Sequence, residues 1–193
     1  FPEIVKNIAL IYSQLGDNDK AMMAVQEARR SNPNDLNLIL TEANIYIQLD
    51  EKEKFQELMT EAIAQDPENA NLLYNLAVVT SDLGNKEDAR GYYEKAIEID
   101  PNYKNAYLNL VALILEGEQS IVEQMNSLGT SAADNVKYEN LKTDRENIYK
   151  ECIPILKTLI EIGDNEVDAI KTLMNIYGTL GDTEGYKEMK ALL

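Results

Sequence analysis

Cys152 is the only thiol in the chain, and no histidine occurs anywhere in the sequence to take its proton. Nucleophilic catalysis needs an activated side chain with a base in hydrogen-bond reach, so the commonest route to it is missing. Cys152 lies between Ile148 and Ile155 in an apolar helical pattern and reads as a packing residue. Paired carboxylates are plentiful, yet 34 acidic residues in a helical chain create such pairs by chance on solvated faces. The sequence holds no Gly-rich phosphate loop and no Asp-x-Asn-x-Asn-Gly run, and a single cysteine without histidine is too little for zinc. The stretch from Asp134 to Asp144 is acidic but lacks the glycine turn that would fold it around calcium. The expectation is a protein that is not an enzyme and uses no cofactor and no metal.

What remains is binding, and composition narrows the partner. The 193 residues carry 18 Lys plus Arg against 34 Asp plus Glu, a formal charge of -16, which repels a phosphate backbone and favours neutral or basic partners over nucleic acid. With 45% apolar residues the chain can bury a sizeable core. No apolar run approaches the roughly 18 residues of a membrane helix, so direct membrane insertion is not expected. The opening Phe1, Pro2 and Glu3 resemble neither a translation start nor a signal peptide, and the chain reads as a trimmed piece of something longer.

The elements that would position a binding face emerge when the sequence is laid against itself at an offset of 34. Pro33, Pro67 and Pro101 recur, as do Ala28, Ala62 and Ala96; Ala9, Ala43 and Ala77; and Leu15, Leu49 and Leu83. Looser columns are Tyr12, Tyr46 and Thr80; Gly16, Asp50 and Gly84; and Ala21, Phe55 and Ala89. The alanines mark places where two helices cross closely, because only a small side chain admits that approach. Gly16 and Gly84 end apolar-periodic runs as left-handed caps, and Asp50 takes the same place with strain. The prolines stop each second helix. Each unit is therefore helix, tight turn, helix, stop.

This period, the small residues Ala9, Ala21 and Ala28, the aromatic Tyr12 and the closing Asn-Pro or Asp-Pro resemble the tetratricopeptide repeat. The resemblance covers residues 2 to 117 without a gap and returns at Leu173, Met174, Tyr177, Gly181 and Tyr186. It implies an all-α fold, a right-handed α-solenoid whose first helices line a concave face. The repeats fall at 2–35, 36–69, 70–103, 104–166 and a truncated 167–193, within one solenoid spanning 1–193. Gly181 lies 97 residues beyond Gly84, two periods plus 29, so the fourth repeat holds an insertion. Apolar residues Ile114, Ile121, Met125 and Leu128 face Leu141, Ile148 and Cys152 at helical spacing, which predicts an antiparallel hairpin at 118–147 projecting roughly 20 Å. Its tip is expected near Gly129 to Asn135, with a bend at Pro154; a flexible acidic linker is the competing reading. Ile4, Val5, Ile8 and Ile11 at one end, and Leu192 and Leu193 at the other, predict end-to-end association.

The first-helix columns give the candidate groove. One column is Asn7, Thr41, Asn75, Asn109 and Thr172; beside it run Lys6, Leu40, Tyr74, Leu108 and Lys171, with Asn44 and Asn71 adjoining. Side-chain amides offer donors and an acceptor, so a ladder of them can pair with an extended peptide backbone whatever its sequence. The same asparagines could instead bridge neighbouring helices, and Tyr74 could anchor an apolar side chain or lie under the next hairpin. One branch of the family grips terminal carboxylates with Lys, Asn and Arg. Here Lys6 matches that branch, but Leu10 and the neutral Asn71 and Asn75 depart from it, removing the charge-assisted bonds a carboxylate needs. The resulting expectation is a non-catalytic scaffold that binds a polypeptide segment in the groove. The alternative is an assembly element that self-associates through the hairpin and the repeat ends. The resumed motif Lys171 to Asp182 also resembles envelope-associated bacterial members of the family, which implies an envelope or periplasmic location.

Overall fold

A computed structural model describes residues 2–163 and 166–193 of the chain. Among them there are ten α-helices and no strand, arranged in two compact units, Phe1–Ile99 and Asp100–Leu193.

The first unit holds α1 (Pro2–Gln14), α2 (Asn18–Ser31), α3 (Leu36–Gln48), α4 (Lys52–Gln65), α5 (Ala70–Asp82) and α6 (Lys86–Ile99). They pair in sequence as three hairpins, each second helix packs on the next first helix, and α1 also reaches α3. The turn inside each hairpin is the same. Asp17, Glu51 and Asn85 donate their backbone N–H to the carbonyls of Tyr12, Tyr46 and Thr80 at 2.9, 2.9 and 3.1 Å. That closure requires a left-handed residue, supplied by Gly16 (φ 77°), Gly84 (φ 86°) and, without the freedom of glycine, Asp50 (φ 58°). Asp17, Asp35 and Asn69 cap α2, α3 and α5 by accepting from the N–H of Lys20, Leu38 and Leu72. α2 and α4 stop at Asn32 and Asp66, each one residue before a proline.

The alanine columns sit where the helices cross. Ala9, Ala21 and Val25 are sealed beneath Leu38 and Ile45 of α3. Ala43 and Ala62 are closed in by Ile39, Phe55, Met59, Leu72 and Leu76. Ala62 is fully buried, so Ala62→Leu would force methylene groups into filled space. A loss of about 1 to 3 kcal/mol is expected, read as a lowered urea midpoint; an unchanged midpoint would place the residue outside the packing seam.

The second unit holds α7 (Lys104–Ser127), α8 (Ala132–Ile162), α9 (Val167–Leu180) and α10 (Thr183–Lys190). α7 and α8 run 24 and 31 residues, against 13 or 14 for the helices of the first unit, and pack on each other. Their connection is short: α8 opens at Ala132 with a capping box in which Ser131 and Asp134 satisfy each other's backbone N–H. Between the two helices Glu118 accepts from Arg145 at 2.6 and 2.9 Å and from the Tyr149 hydroxyl, while the Arg145 guanidinium lies over the Tyr149 ring. Burial, with Glu118 beside it, raises the Tyr149 phenol above its ordinary range. α8 continues through Pro154.

In α9 and α10 the hairpin turn recurs, with Gly181 at φ 74° and Asp182 donating to the Tyr177 carbonyl at 2.9 Å. Gly185 is a matter of space, not of φ. A Cβ there would fall 2.8 Å from the buried Tyr177 ring, so glycine is what lets these helices close.

Candidate functional site

α3 and α5 stand side by side as first helices and leave a cleft of about 560 Å³ between them. Leu40, Asn44 and Ile47 form one wall; Asn71, Tyr74, Asn75 and Val78 form the other. Phe55 and Met59, reaching up from α4, supply an apolar floor. Asn44, Asn71 and Asn75 are exposed, and Leu40 and Tyr74 are half-buried. The Tyr74 ring leans on Tyr93 with centroids 6.0 Å apart, which limits its rotamers. No carboxylate, ammonium or guanidinium is among the lining residues.

Five of the candidate groove residues line this one cleft: Leu40, Tyr74 and Asn75 from the repeat columns, and the adjoining Asn44 and Asn71. The others do not join them. Thr41 shares a column with Asn75 but is 4% exposed, and its hydroxyl donates to the carbonyl of Asn37 in its own helix at 2.6 Å. Its hydroxyl is satisfied on the preceding turn of its own helix, and Thr41 is not among the residues that line the cleft. Lys6 and Asn7 lie on α1, outside this cleft lining. Leu108, exposed, and Asn109, half-buried, belong to α7 of the second unit.

Column reasoning overlooked Ile47, Val78, Phe55 and Met59. Ile47 and Val78 follow Leu40 and Tyr74 by seven and four residues, so helical spacing could have found them. The floor could not be found that way, because it comes from a second helix. Asn69, at the rim, is committed to structure: its carbonyl caps α5 and its amide donates to Asp66 at 2.8 Å.

Cys152 is fully buried, and burial, followed by Glu151 and Glu118, pushes its thiol up to about 12. A thiol so held is protonated at neutral pH and is a packing group. The other concentrated polar cluster lies away from the cleft. Arg29 of α2 bridges Glu42 of α3 at 2.6 Å and Glu61 of α4 at 2.8 and 2.9 Å, and Gln26 also donates to Glu42. Burial pulls the guanidinium pKa down, but the two carboxylates overcome this and hold it above its ordinary value.

Three hairpins of matched turn and length in the first unit, each packed on the next, define a helical-repeat protein. The repeat is specific: residues 7–35, 37–69 and 56–114 match profiles of the tetratricopeptide repeat, together more than half of the chain, which belongs to the tetratricopeptide-repeat family. No curated protein matches it in sequence. Among solved structures it is similar to the MamA protein at 16% identity, TM-score 0.69, over 99% of this chain and 87% of that one. It is also similar to YrrB, described as a TPR protein with an unusual peptide-binding site, at 16% identity, TM-score 0.65, over 97% and 82%. The first TPR of Spaghetti (RPAP3), bound to the HSP90 peptide SRMEEVD, matches 58% of this chain and 89% of its own at 20% identity, TM-score 0.53. These likenesses describe the fold.

Proposed function

We propose that the chain is a non-catalytic protein-interaction scaffold that holds an extended polypeptide segment in the cleft between α3 and α5. The observation that carries this reading is the pairing of exposed amides, Asn44, Asn71 and Asn75, with an apolar floor of Phe55 and Met59. Amides pair with a peptide backbone without regard to sequence, and the floor receives one apolar side chain. Membership of a repeat family, and similarity to structures described as peptide-binding or peptide-bound, support it. The cleft lining offers no cation to a terminal carboxylate, and the chain's charge of -16 favours neutral or basic segments.

The test is selection of binders from a random peptide display, followed by calorimetry. Selected peptides are expected to carry an apolar residue among neutral or basic neighbours and to bind equally with free or amidated C-termini. Asn44→Ala with Asn75→Ala is expected to weaken them about tenfold, the loss of one or two hydrogen bonds. Equal affinity for the double variant, with circular dichroism unchanged, would remove the cleft from the account.

A further inference from the structure

Phe55 stands apart from its repeat column. The same place in the other two second helices of the first unit holds Ala21 and Ala89, so α4 alone carries a benzyl group where its neighbours carry a methyl. The packing around it differs too. Beside Ala21, α1 packs on α3, and the Ser13 hydroxyl donates to Gln48 between them. Beside Phe55, no comparable packing joins α3 to α5 among the described residues, and the cleft of about 560 Å³ lies there instead. Helices pack at distances set by the side chains at their contact. Phe55 belongs to the core that holds Ile39 and Ala43 of α3 with Leu72 and Val79 of α5, so its ring is placed to keep those two helices apart.

The same ring shapes what the cleft can hold. Phe55 and Met59 are 5% and 2% exposed, so only a side chain long enough to reach the bottom touches them. Three of the lining groups, Phe55, the Met59 thioether and Tyr74, have a favoured contact with an aromatic ring that an aliphatic side chain lacks. Rings meet rings offset or edge to face, and sulfur sits well at a ring edge. Tyr74 is already braced by Tyr93, so meeting a guest costs it little rotamer freedom. Leu40, Ile47 and Val78 offer apolar area alone and favour neither kind of anchor. A charged side chain finds no counter-charge in the lining and is disfavoured there.

We propose that Phe55 makes the cleft selective for an aromatic anchor, a phenylalanine or tyrosine side chain of the bound segment, over an aliphatic one. This rests on the reading of the cleft as a peptide site and deepens it. The probes are four pools of heptapeptides with acetylated and amidated ends, randomised over neutral and basic residues and fixed at the centre as Phe, Tyr, Leu or Ile. Retention of each pool on the immobilised chain is measured by mass spectrometry. The Phe and Tyr pools are expected to be retained about fivefold more than the Leu and Ile pools. Phe55→Leu keeps a large apolar side chain in place, so circular dichroism should be unchanged while that ratio falls to about twofold or less. Asn44→Ala with Asn75→Ala is expected to weaken all four pools alike and leave their ratio, because the amides address the backbone. If no pool is retained above that double variant, the cleft reading falls and this selectivity with it. If the pools need the amides but aliphatic anchors equal aromatic ones, or if folded Phe55→Leu keeps the parent's ratio, the selectivity alone is overturned.

Discussion

Arg29→Ala is expected to destabilise the first unit by about 3 to 5 kcal/mol, the effect of removing one partner from a buried ion pair. The side chain of Glu42 is 8% exposed, and without Arg29 its carboxylate would keep, among the described residues, only the hydrogen bond from Gln26 in the packing between α2 and α3. Glu61, more exposed at 39%, can turn to water and contributes less. The network is not a perfect arrangement either, since the guanidinium Nε is buried with no acceptor among the described residues. The repeat itself suggests the repair. Ile63 and Ile97 share the column of Arg29, and Leu76 and Leu110 share that of Glu42; Ile63 packs on the cluster that holds Leu76. Arg29→Ile with Glu42→Leu should therefore recover most of the loss, or exceed the parent, because a well-packed apolar pair often outperforms a buried ionic one. Urea titrations of the single and double variants give the comparison. Equal destabilisation by both would mean that the ion pair supplies a geometry the apolar residues cannot.

Leu156→Ala is expected to cost about 2 to 5 kcal/mol, while Lys190→Ala, in the same repeat column, should change stability by about 0.5 kcal/mol or less. Leu156 of α8, a helix packed on both α7 and α9, is 1% exposed, and truncation would leave a cavity. Lys190 is exposed on α10. Thermal unfolding of the two variants separates register from environment. Comparable losses would show that the column governs both positions and that the outer face of α10 is packed.

The hairpin boundaries were legible because turns and stops use residues with few substitutes. Gly16 and Gly84 foretold left-handed caps, the column carried Asp50 into the same conformation, and the prolines fixed where second helices end. The cleft was half legible. Columns named Leu40, Tyr74 and Asn75, with Asn44 and Asn71 adjoining, and these five line one cleft because residues at one repeat position tend to share a face. Thr41 escaped that logic because it is buried and its hydroxyl bonds the carbonyl of Asn37 in its own helix, which no column shows. Phe55 and Met59 were legible as packing but not as a floor, since nothing in a linear pattern shows which gap a second helix fills. The Arg29 cluster was visible as two departures, charges at columns otherwise aliphatic, whose meaning lies in both falling at one helix contact. In the second unit, spacing indicated two facing stripes, whereas the link between helices made by Glu118, Arg145 and Tyr149 depends on reach across 27 and 31 residues.

The solitary sulfhydryl of Cys152, buried within α8 of the long α7–α8 pair, doubles as a built-in clock. A thiol-specific dye finds nothing to attack while the helices stay closed, so each labelling event records a breath of that joint. Its rate, followed with and without a bound guest, would reveal whether occupancy elsewhere steadies that joint, with no label engineered into the chain.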